Sequence, residues 1–208
     1  MSITFPLLAG LAGATAGWFV SWIVDRTTPD RARNTKRLES ILSTAASAVL
    51  LAALAVRFKE PGIRLYVYGG LVLALVGVTV FDIRTQIIPN AVTIPGTILG
   101  LIGGSFVLPS GIRESILGLV IGAGVLLAAT LVETIRKKEI GGGDWKYAAM
   151  IGSFIGPQSI VVALVFTGIL GIVGGIVLAV AGVHGRPQAL GPWLSAGAVA
   201  SILFTRLS

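Results

Sequence analysis

The sequence has 208 residues, of which 54% are hydrophobic and only 12% are charged, and its mean hydropathy is +0.92. Because soluble globular domains carry about 25% charged residues, this composition indicates an integral membrane protein rather than a soluble one. The chain has no Cys and a single His, His184, which excludes disulfides, a cysteine nucleophile and a histidine-rich metal site. The net charge of +7 is spread over the segments between apolar runs, so we expect membrane lipid, and not nucleic acid, as a partner.

Eight apolar runs, separated by charged residues or by Pro and Gly, predict the fold. A membrane span needs about 20 residues, so the sixth run is marginal, and only Gly156-Pro157 separates it from the seventh. The predicted fold is therefore all-α: one integral-membrane domain over residues 1–208, a bundle of six to eight transmembrane helices. The runs are residues 7–24, 41–56, 65–81, 91–108, 116–132, 147–155, 159–183 and 190–204. Spacings that favour close helix packing are Gly13–Gly17, Gly100–Gly104, Gly118–Gly122 and Gly171–Gly175.

The positions of Lys and Arg predict the orientation of the bundle. If the N-terminus lies outside, five of the 16 basic residues fall outside and the other eleven fall on the cytoplasmic side, as the positive-inside rule requires. The outer five are Arg57, Lys59, Arg64, Arg113 and Arg206. The first connection, residues 25–39, is the most basic and is predicted to be a short cytoplasmic loop.

A first polar segment follows the third apolar run. Residues 82–90 read DIRTQIIPN. A carboxylate at the centre of a membrane helix costs about 2.5–3.5 kcal/mol, so Asp82 is a candidate functional residue. The alternative is a helix-end anchor in which Asp82 pairs with Arg84, and Arg84 by itself is interpreted first as a loop charge that sets topology. Pro89-Asn90 then breaks the chain before the next helix.

A second polar segment precedes the sixth run. Residues 141–146 read GGGDWK, and the glycines allow backbone conformations that bring Asp144 close to a partner chain or a substrate. The alternative is that Asp144 caps the sixth helix. Because the predicted topology places Asp82 and Asp144 on the same side of the membrane, together they indicate a paired-carboxylate site.

These two segments resemble motifs of the type IV prepilin peptidases, which are membrane aspartic proteases of the Gly-x-Gly-Asp type. DIRTQIIPN is similar to the segment around that family's first catalytic Asp, which ends in Ile-Pro-(Asn/Asp). GGGDWK fits the Gly-x-Gly-Asp-x-Lys pattern around the second, and GPWL at residues 191–194 resembles a Gly-Pro-aromatic-Leu stretch near the family's C-terminus. The resemblance covers residues 65–205, which are interpreted as the peptidase core.

The resemblance implies an aspartic endopeptidase that removes the short basic leader from type IV prepilin or pseudopilin precursors. It implies that Asp82 and Asp144 are the catalytic pair, and that no metal and no cofactor take part. A role in substrate binding or support is assigned to Arg84, Pro89, Asn90, Gly141, Gly143 and Lys146. The expected location is the inner membrane of a prokaryote, with the site at the cytoplasmic face, where a basic leader stays.

One departure from the family concerns the first cytoplasmic loop. Bifunctional bacterial members carry four cysteines in a large loop there, and they also N-methylate the new terminus with S-adenosylmethionine. Here the loop is only residues 25–39 and the sequence contains no Cys. We therefore expect the methylation module to be absent; whether methylation is lost or carried out differently stays open, and peptidase activity alone is favoured.

Three interpretations compete with this one. Presenilin-like proteases share Gly-x-Gly-Asp, but Phe81 stands where that group has Tyr, and PQAL at residues 187–190 is not its Pro-Ala-Leu motif. From another class, a small ion- or proton-coupled transporter would also use membrane carboxylates. A transporter is expected to hold them near the midplane and to show a repeat between its halves, whereas this sequence has neither feature. An inactive scaffold would tolerate replacement of either aspartate.

Overall fold

The computed structural model describes residues 4–27, 33–135, 142–180, 182 and 189–205. Over these ranges the regular secondary structure is helical, without strands, which confirms the all-α prediction. The helices are α1 (Thr4–Thr27), α2 (Arg33–Phe58), α3 (Ile63–Thr85), α4 (Asn90–Val107), α5 (Ile112–Ile135), α6 (Asp144–Val180) and α7 (Gly191–Phe204).

Within the described ranges, six helices are long and apolar enough to cross a bilayer, namely α1 to α6. The last helix, α7, is apolar but shorter. Many exposed side chains on these helices are large and apolar, such as Trp18, Ile172 and Val180. Contact with lipid accounts for them, because a soluble monomer rarely exposes so much contiguous apolar surface. The chain is therefore a multi-pass membrane protein with a span count in the predicted range.

Helix α6 contains the break that was predicted at Gly156-Pro157. Gly156 has φ 77° and ψ 177°, a conformation that is almost restricted to glycine, and Pro157 cannot donate a backbone hydrogen bond. At 1.5 Å per residue, the part before the break is about 18 Å long and the part after it about 36 Å. The predicted sixth and seventh runs are thus two pieces of one interrupted helix.

Two compact units make up the chain, residues 1–85 and residues 86–208. The first unit contains α1, α2 and α3, and each of these helices packs against the other two. Close approach of α1 and α2 depends on the predicted Gly13–Gly17 spacing, because a Cβ on Gly13 would lie 2.6 Å from the Ser47 carbonyl oxygen. On α3, Gly69 faces Leu51 of α2 and Gly77 faces Val20 of α1.

The second unit contains α4 to α7, and α6 packs against each of the other three helices. Gly118 on α5 faces Gly152 on α6, and Gly100 on α4 faces Ser153, so the Gly118–Gly122 and Gly100–Gly104 spacings are helix contacts as predicted. Gly171 differs: a Cβ built there meets no heavy atom within 4 Å in the described part of the chain, so it is not at such a contact.

The predicted loop at residues 25–39 is mostly helical. Helix α1 continues to Thr27 and α2 already begins at Arg33, so the connection is shorter than the sequence indicated. The basic residues that suggested a loop, such as Arg37, extend α2 because Arg and Lys are good helix formers. Residues 28–32 lie outside the described ranges.

Candidate active site

Asp82 lies in the last turn of α3, in the first unit. It is buried, with 4% of its surface exposed. A carboxylate in this position is unfavourable on two counts, because the C-terminal end of a helix repels negative charge and burial removes water. A buried acidic side chain at the C-terminal end of a helix is uncommon, which supports a functional role for Asp82.

Arg84, two residues further on, binds two carboxylates. Its Nε donates to Oε2 of Glu39 and its Nη1 donates to Oδ1 of Asp25, both at 2.6 Å. The Arg84 side chain is only 2% exposed. The placement of Arg84 in a loop is thus wrong, because Arg84 belongs to α3 and forms ion pairs with α1 and α2, whereas its contribution to the orientation stays a prediction.

The rest of the first motif lies in the second unit, between α3 and α4. Gln86 has a positive φ of 55°, which turns the chain sharply after α3. Ile88 is buried, and Pro89 is the N-cap of α4, with Asn90 as its first residue. Because the backbone of Pro89 is extended, at φ −73° and ψ 126°, α4 begins at Asn90 and the Asn90 side chain projects from its first turn.

The second motif forms the N-terminus of α6. Asp144 is the first residue of the helix, where the dipole favours negative charge, and the Tyr147 backbone N–H donates to the Gly143 carbonyl oxygen at 3.0 Å. The helix start therefore places the Asp144 carboxylate and the Lys146 side chain on the first turn. Gly141, which the sequence assigned to the site, lies outside the described residues.

The structure brings the end of the first motif and the second motif together. Lys146 Nζ donates to Oδ1 of Asn90 at 3.1 Å, although the two residues are 56 positions apart. Gly143 packs on Ile88 so closely that an added Cβ would lie 3.0 Å from the Ile88 Cβ. Two segments that the sequence identified separately thus form one local arrangement at the starts of α4 and α6.

A supporting contact that the sequence did not predict joins α6 to α7. Tyr147 is fully buried and its hydroxyl lies 2.7 Å from Oγ of Ser195, which in turn donates to the Gly191 carbonyl oxygen. Ser195 directly follows the GPWL stretch in the sequence. Its position next to this motif is the sequence feature that could have indicated its structural role. This polar contact fixes the first turn of α6, next to Asp144, against the start of α7.

The described residues offer no metal centre. Within those ranges, no three His, Asp or Glu side chains lie close enough together to hold an ion. Asp82 belongs to the first unit and Asp144 to the second, and their pairing stays a prediction.

Comparison with known proteins gives consistent matches. The model of the type IV leader peptidase family matches residues 68–176, just over half of the chain. A prepilin leader peptidase/N-methyltransferase of Neisseria gonorrhoeae is 35% identical over 134 residues, which cover 61% of this chain and 45% of that protein. Proteins with the same name are 29% identical over 174 residues in Burkholderia pseudomallei (79% and 54%) and 30% identical over 141 residues in Escherichia coli (66% and 61%).

The matched part of the chain contains both aspartates, whereas the chain spans about half the length of the curated relatives that it matches. No solved structure matches the chain significantly.

Proposed function

Because the chain belongs to the type IV leader peptidase family, we propose that it is a membrane aspartic endopeptidase that removes the short basic leader of type IV prepilin or pseudopilin precursors. The relatives carry the name prepilin leader peptidase/N-methyltransferase. Of the two activities in that name, we propose only the peptidase activity for this chain.

The main observation that supports the proposal is the contact, within the second unit, between the end of the first motif (residues 88–90) and the second motif (residues 143–146). Asn90 and Lys146 are hydrogen-bonded, and Ile88 fills the space beside Gly143. A transporter or a scaffold has no evident need to hold an Ile-Pro-Asn segment against a Gly-Gly-Asp turn. A protease does, because each catalytic carboxylate must be held in place to within about 0.5 Å, and this contact holds the turn that carries Asp144.

The proposed chemistry uses Asp82 and Asp144 with one shared proton. The ionised carboxylate accepts a proton from a water molecule, whose oxygen attacks the scissile carbonyl carbon. The protonated carboxyl donates its proton to the carbonyl oxygen, which gives a neutral tetrahedral intermediate. When the C–N bond breaks, the leaving nitrogen takes a proton from the carboxyl that had accepted it from water, and a hydroxyl of the intermediate returns a proton to the other carboxylate as the C=O bond forms. The dyad thereby returns to one proton, and no metal or cofactor is needed.

The two helix ends favour different roles for the two aspartates. Asp144 begins α6, where the helix dipole stabilises a negative charge, and Asp82 ends α3, where the dipole opposes one. We therefore assign Asp144 as the base that activates water and Asp82 as the acid that protonates the carbonyl oxygen. Because the dyad shares one proton, this assignment describes the preferred form of the pair rather than two independent groups.

The proposed location is the inner membrane of a prokaryote, with the site at the cytoplasmic face. The basic residues predict this orientation, and a basic leader remains on the cytoplasmic side because translocating positive charge is unfavourable. We propose peptidase activity without N-methylation, because the short α1–α2 connection and the absence of Cys from the sequence leave no cysteine-stabilised methylation module there.

The first test is leader removal in cells. The chain would be co-expressed with a tagged type IV prepilin, and cleavage would be measured by gel shift and by the mass of the new N-terminus. We expect the wild type to cleave, and Asp82→Asn and Asp144→Asn to lose at least 10³-fold in rate, since removing one member of a catalytic unit removes most of its effect.

Glu60→Gln is the matched control, because Glu60 is an exposed acidic residue between α2 and α3, and it should cleave like the wild type. Cleavage by either Asn variant would contradict the dyad. Failure of the wild type on several prepilins would favour the transporter. A product heavier by one methyl group would overturn the proposal that methylation is absent.

A further inference from the structure

The ion-pair cluster formed by Asp25, Arg84 and Glu39 has a role that the proposed chemistry leaves unexplained. Each carboxylate comes from a different helix, Asp25 from the end of α1 and Glu39 from the first turns of α2. Both lie outside the residues that match the family model. The Arg84 side chain is buried and both carboxylates are partly buried, so the cluster ties the ends of its three helices together.

The guanidinium group is held in both position and orientation. Its Nε and Nη1 atoms bind different carboxylates at 2.6 Å, and the group is planar, so two separate bonds leave it little freedom to rotate. Arg84 is one residue from the end of α3 at Thr85. A last helical turn normally frays, because its carbonyl groups have no partners within the helix. The cluster fixes this turn from outside.

Asp82 and Arg84 project from different sides of α3. At 100° per residue, two positions correspond to a rotation of 200°, so the two side chains point nearly opposite ways. Gly69 and Gly77, which face α2 and α1, lie on the Arg84 side. Asp82 instead continues a buried stripe at spacings of four, three and four residues, formed by Leu71, Leu75, Val78 and Asp82.

The rotation of α3 therefore decides where the Asp82 carboxylate lies. A carboxylate about 5 Å from a helix axis moves by about 1 Å when the helix turns by 10°. A displacement of about 1 Å at a catalytic group can reduce the rate by about 100-fold. An anchor at Arg84, on the side away from Asp82, sets this rotation without contacting the substrate.

We infer that Asp25, Arg84 and Glu39 are positioning residues that hold the last turn of α3 in the rotation that aims Asp82. The inference rests on the proposed function only in treating Asp82 as catalytic. Under this inference, the C-terminal end of α1 and the first turns of α2 help to position a catalytic residue.

The first experiment measures the rotation without using activity. The chain has no Cys, so Asp82→Cys and Leu75→Cys each introduce a single thiol, and Leu75 is a buried position of the same stripe about two turns away. Each would be combined with Arg84→Gln or with Arg64→Gln, the latter removing an exposed Arg at the other end of α3. The rate of modification by N-ethylmaleimide would be measured in detergent.

We expect Cys at position 82 to react at least tenfold faster with Arg84→Gln than in the otherwise native chain, and Cys at position 75 to stay unreactive. Arg64→Gln should change neither rate. An unchanged rate at position 82 would overturn the inference. An equal increase at both positions would overturn it as well, because it would mean that the cluster stabilises the whole unit rather than the end of α3.

The second experiment separates positioning from folding through the kinetics of prepilin cleavage. Asp25→Asn and Glu39→Gln should each lower kcat at least tenfold while KM changes less than twofold, because the substrate still binds but Asp82 is misplaced. Rates would be normalised to the amount of monodisperse protein. Unchanged kcat would overturn the inference. A wild type that cleaves nothing would contradict the proposed function, whereas the thiol rates would still decide whether the cluster positions α3.

Discussion

At the scale of single residues, the candidate site depends on a few polar contacts between segments that are far apart in the chain. Lys146 and Asn90 are the best example, since both belong to the motifs and they form a charged hydrogen bond of 3.1 Å. Hydrogen bonds to charged groups contribute about 1.5–3 kcal/mol when buried and less when exposed. This bond is exposed, so we expect its value to lie in orienting Asn90 more than in stability.

A double-mutant cycle tests that contact. Asn90→Ala and Lys146→Ala should each lower the cleavage rate, and the double variant should be about fivefold more active than the product of the single effects predicts, a coupling of about 1 kcal/mol. Cleavage of a tagged prepilin provides the measurement. Arg113, an exposed residue in the first turn of α5, is the matched control, and Arg113→Ala with Asn90→Ala should be additive. Additivity for Asn90 and Lys146 as well would show that their contact does not act in catalysis.

At the scale of helices, the second unit is held together by small residues that let α5 and α6 approach closely. A Cβ on Gly118 would overlap the Gly152 carbonyl oxygen, and one on Gly122 would overlap the Ala148 carbonyl oxygen. In lipid, such packing replaces the hydrophobic effect as the main source of helix association. The contact runs along the first part of α6, which begins with Asp144, so it also determines where that residue lies.

Two alanine variants on α5 separate packing from helix propensity. Gly118→Ala should destabilise the protein by about 1–3 kcal/mol through overpacking, and lower the Tm by roughly 2–12 °C. Gly124→Ala should be neutral or stabilising by up to about 1 kcal/mol, because a Cβ there meets no described heavy atom within 4 Å and Ala favours a helix. Tryptophan fluorescence on heating in detergent reports both, and equal shifts would argue against close α5–α6 packing.

At the scale of the whole molecule, the distribution of charge predicts which side of the membrane carries the candidate site. The described charged residues are concentrated near the ends of helices, as in the Lys59-Glu60 pair after α2 and the Arg113-Glu114 pair at the start of α5. This arrangement keeps charge out of the bilayer core and lets basic residues set the orientation.

Single cysteines test the predicted orientation. Gly62→Cys and Ser110→Cys should react with a membrane-impermeant maleimide on intact cells, because both positions are exposed in connections placed outside. Thr27→Cys and Gln86→Cys should react only after the membrane is disrupted, since both are placed on the cytoplasmic side. The cysteine-free native chain gives the background rate. The reverse pattern would place Asp82 on the outer side and contradict leader removal at the cytoplasmic face.

Much of the fold is a local property of the sequence and was predictable for that reason. The lengths of the apolar runs predicted the membrane helices, and Gly156-Pro157 predicted the break in α6, since a positive φ and a missing N–H depend on the residues themselves. The two aspartate motifs were visible for the same reason. The α1–α2 connection was overestimated, because polar residues that extend a helix beyond the apolar run look like a loop.

Contacts between residues that are distant in the sequence were decided only by the tertiary structure. Arg84 looked like a loop charge, but its partners lie 45 and 59 positions away, and no local pattern identifies them. The Tyr147–Ser195 and Lys146–Asn90 contacts depend in the same way on how α6 packs against α7 and α4. The sequence by itself predicted which helices form and which residues are the candidates for the chemistry, because both predictions follow from hydropathy and residue type. The packing of the helices decided which side chains hold those residues in place.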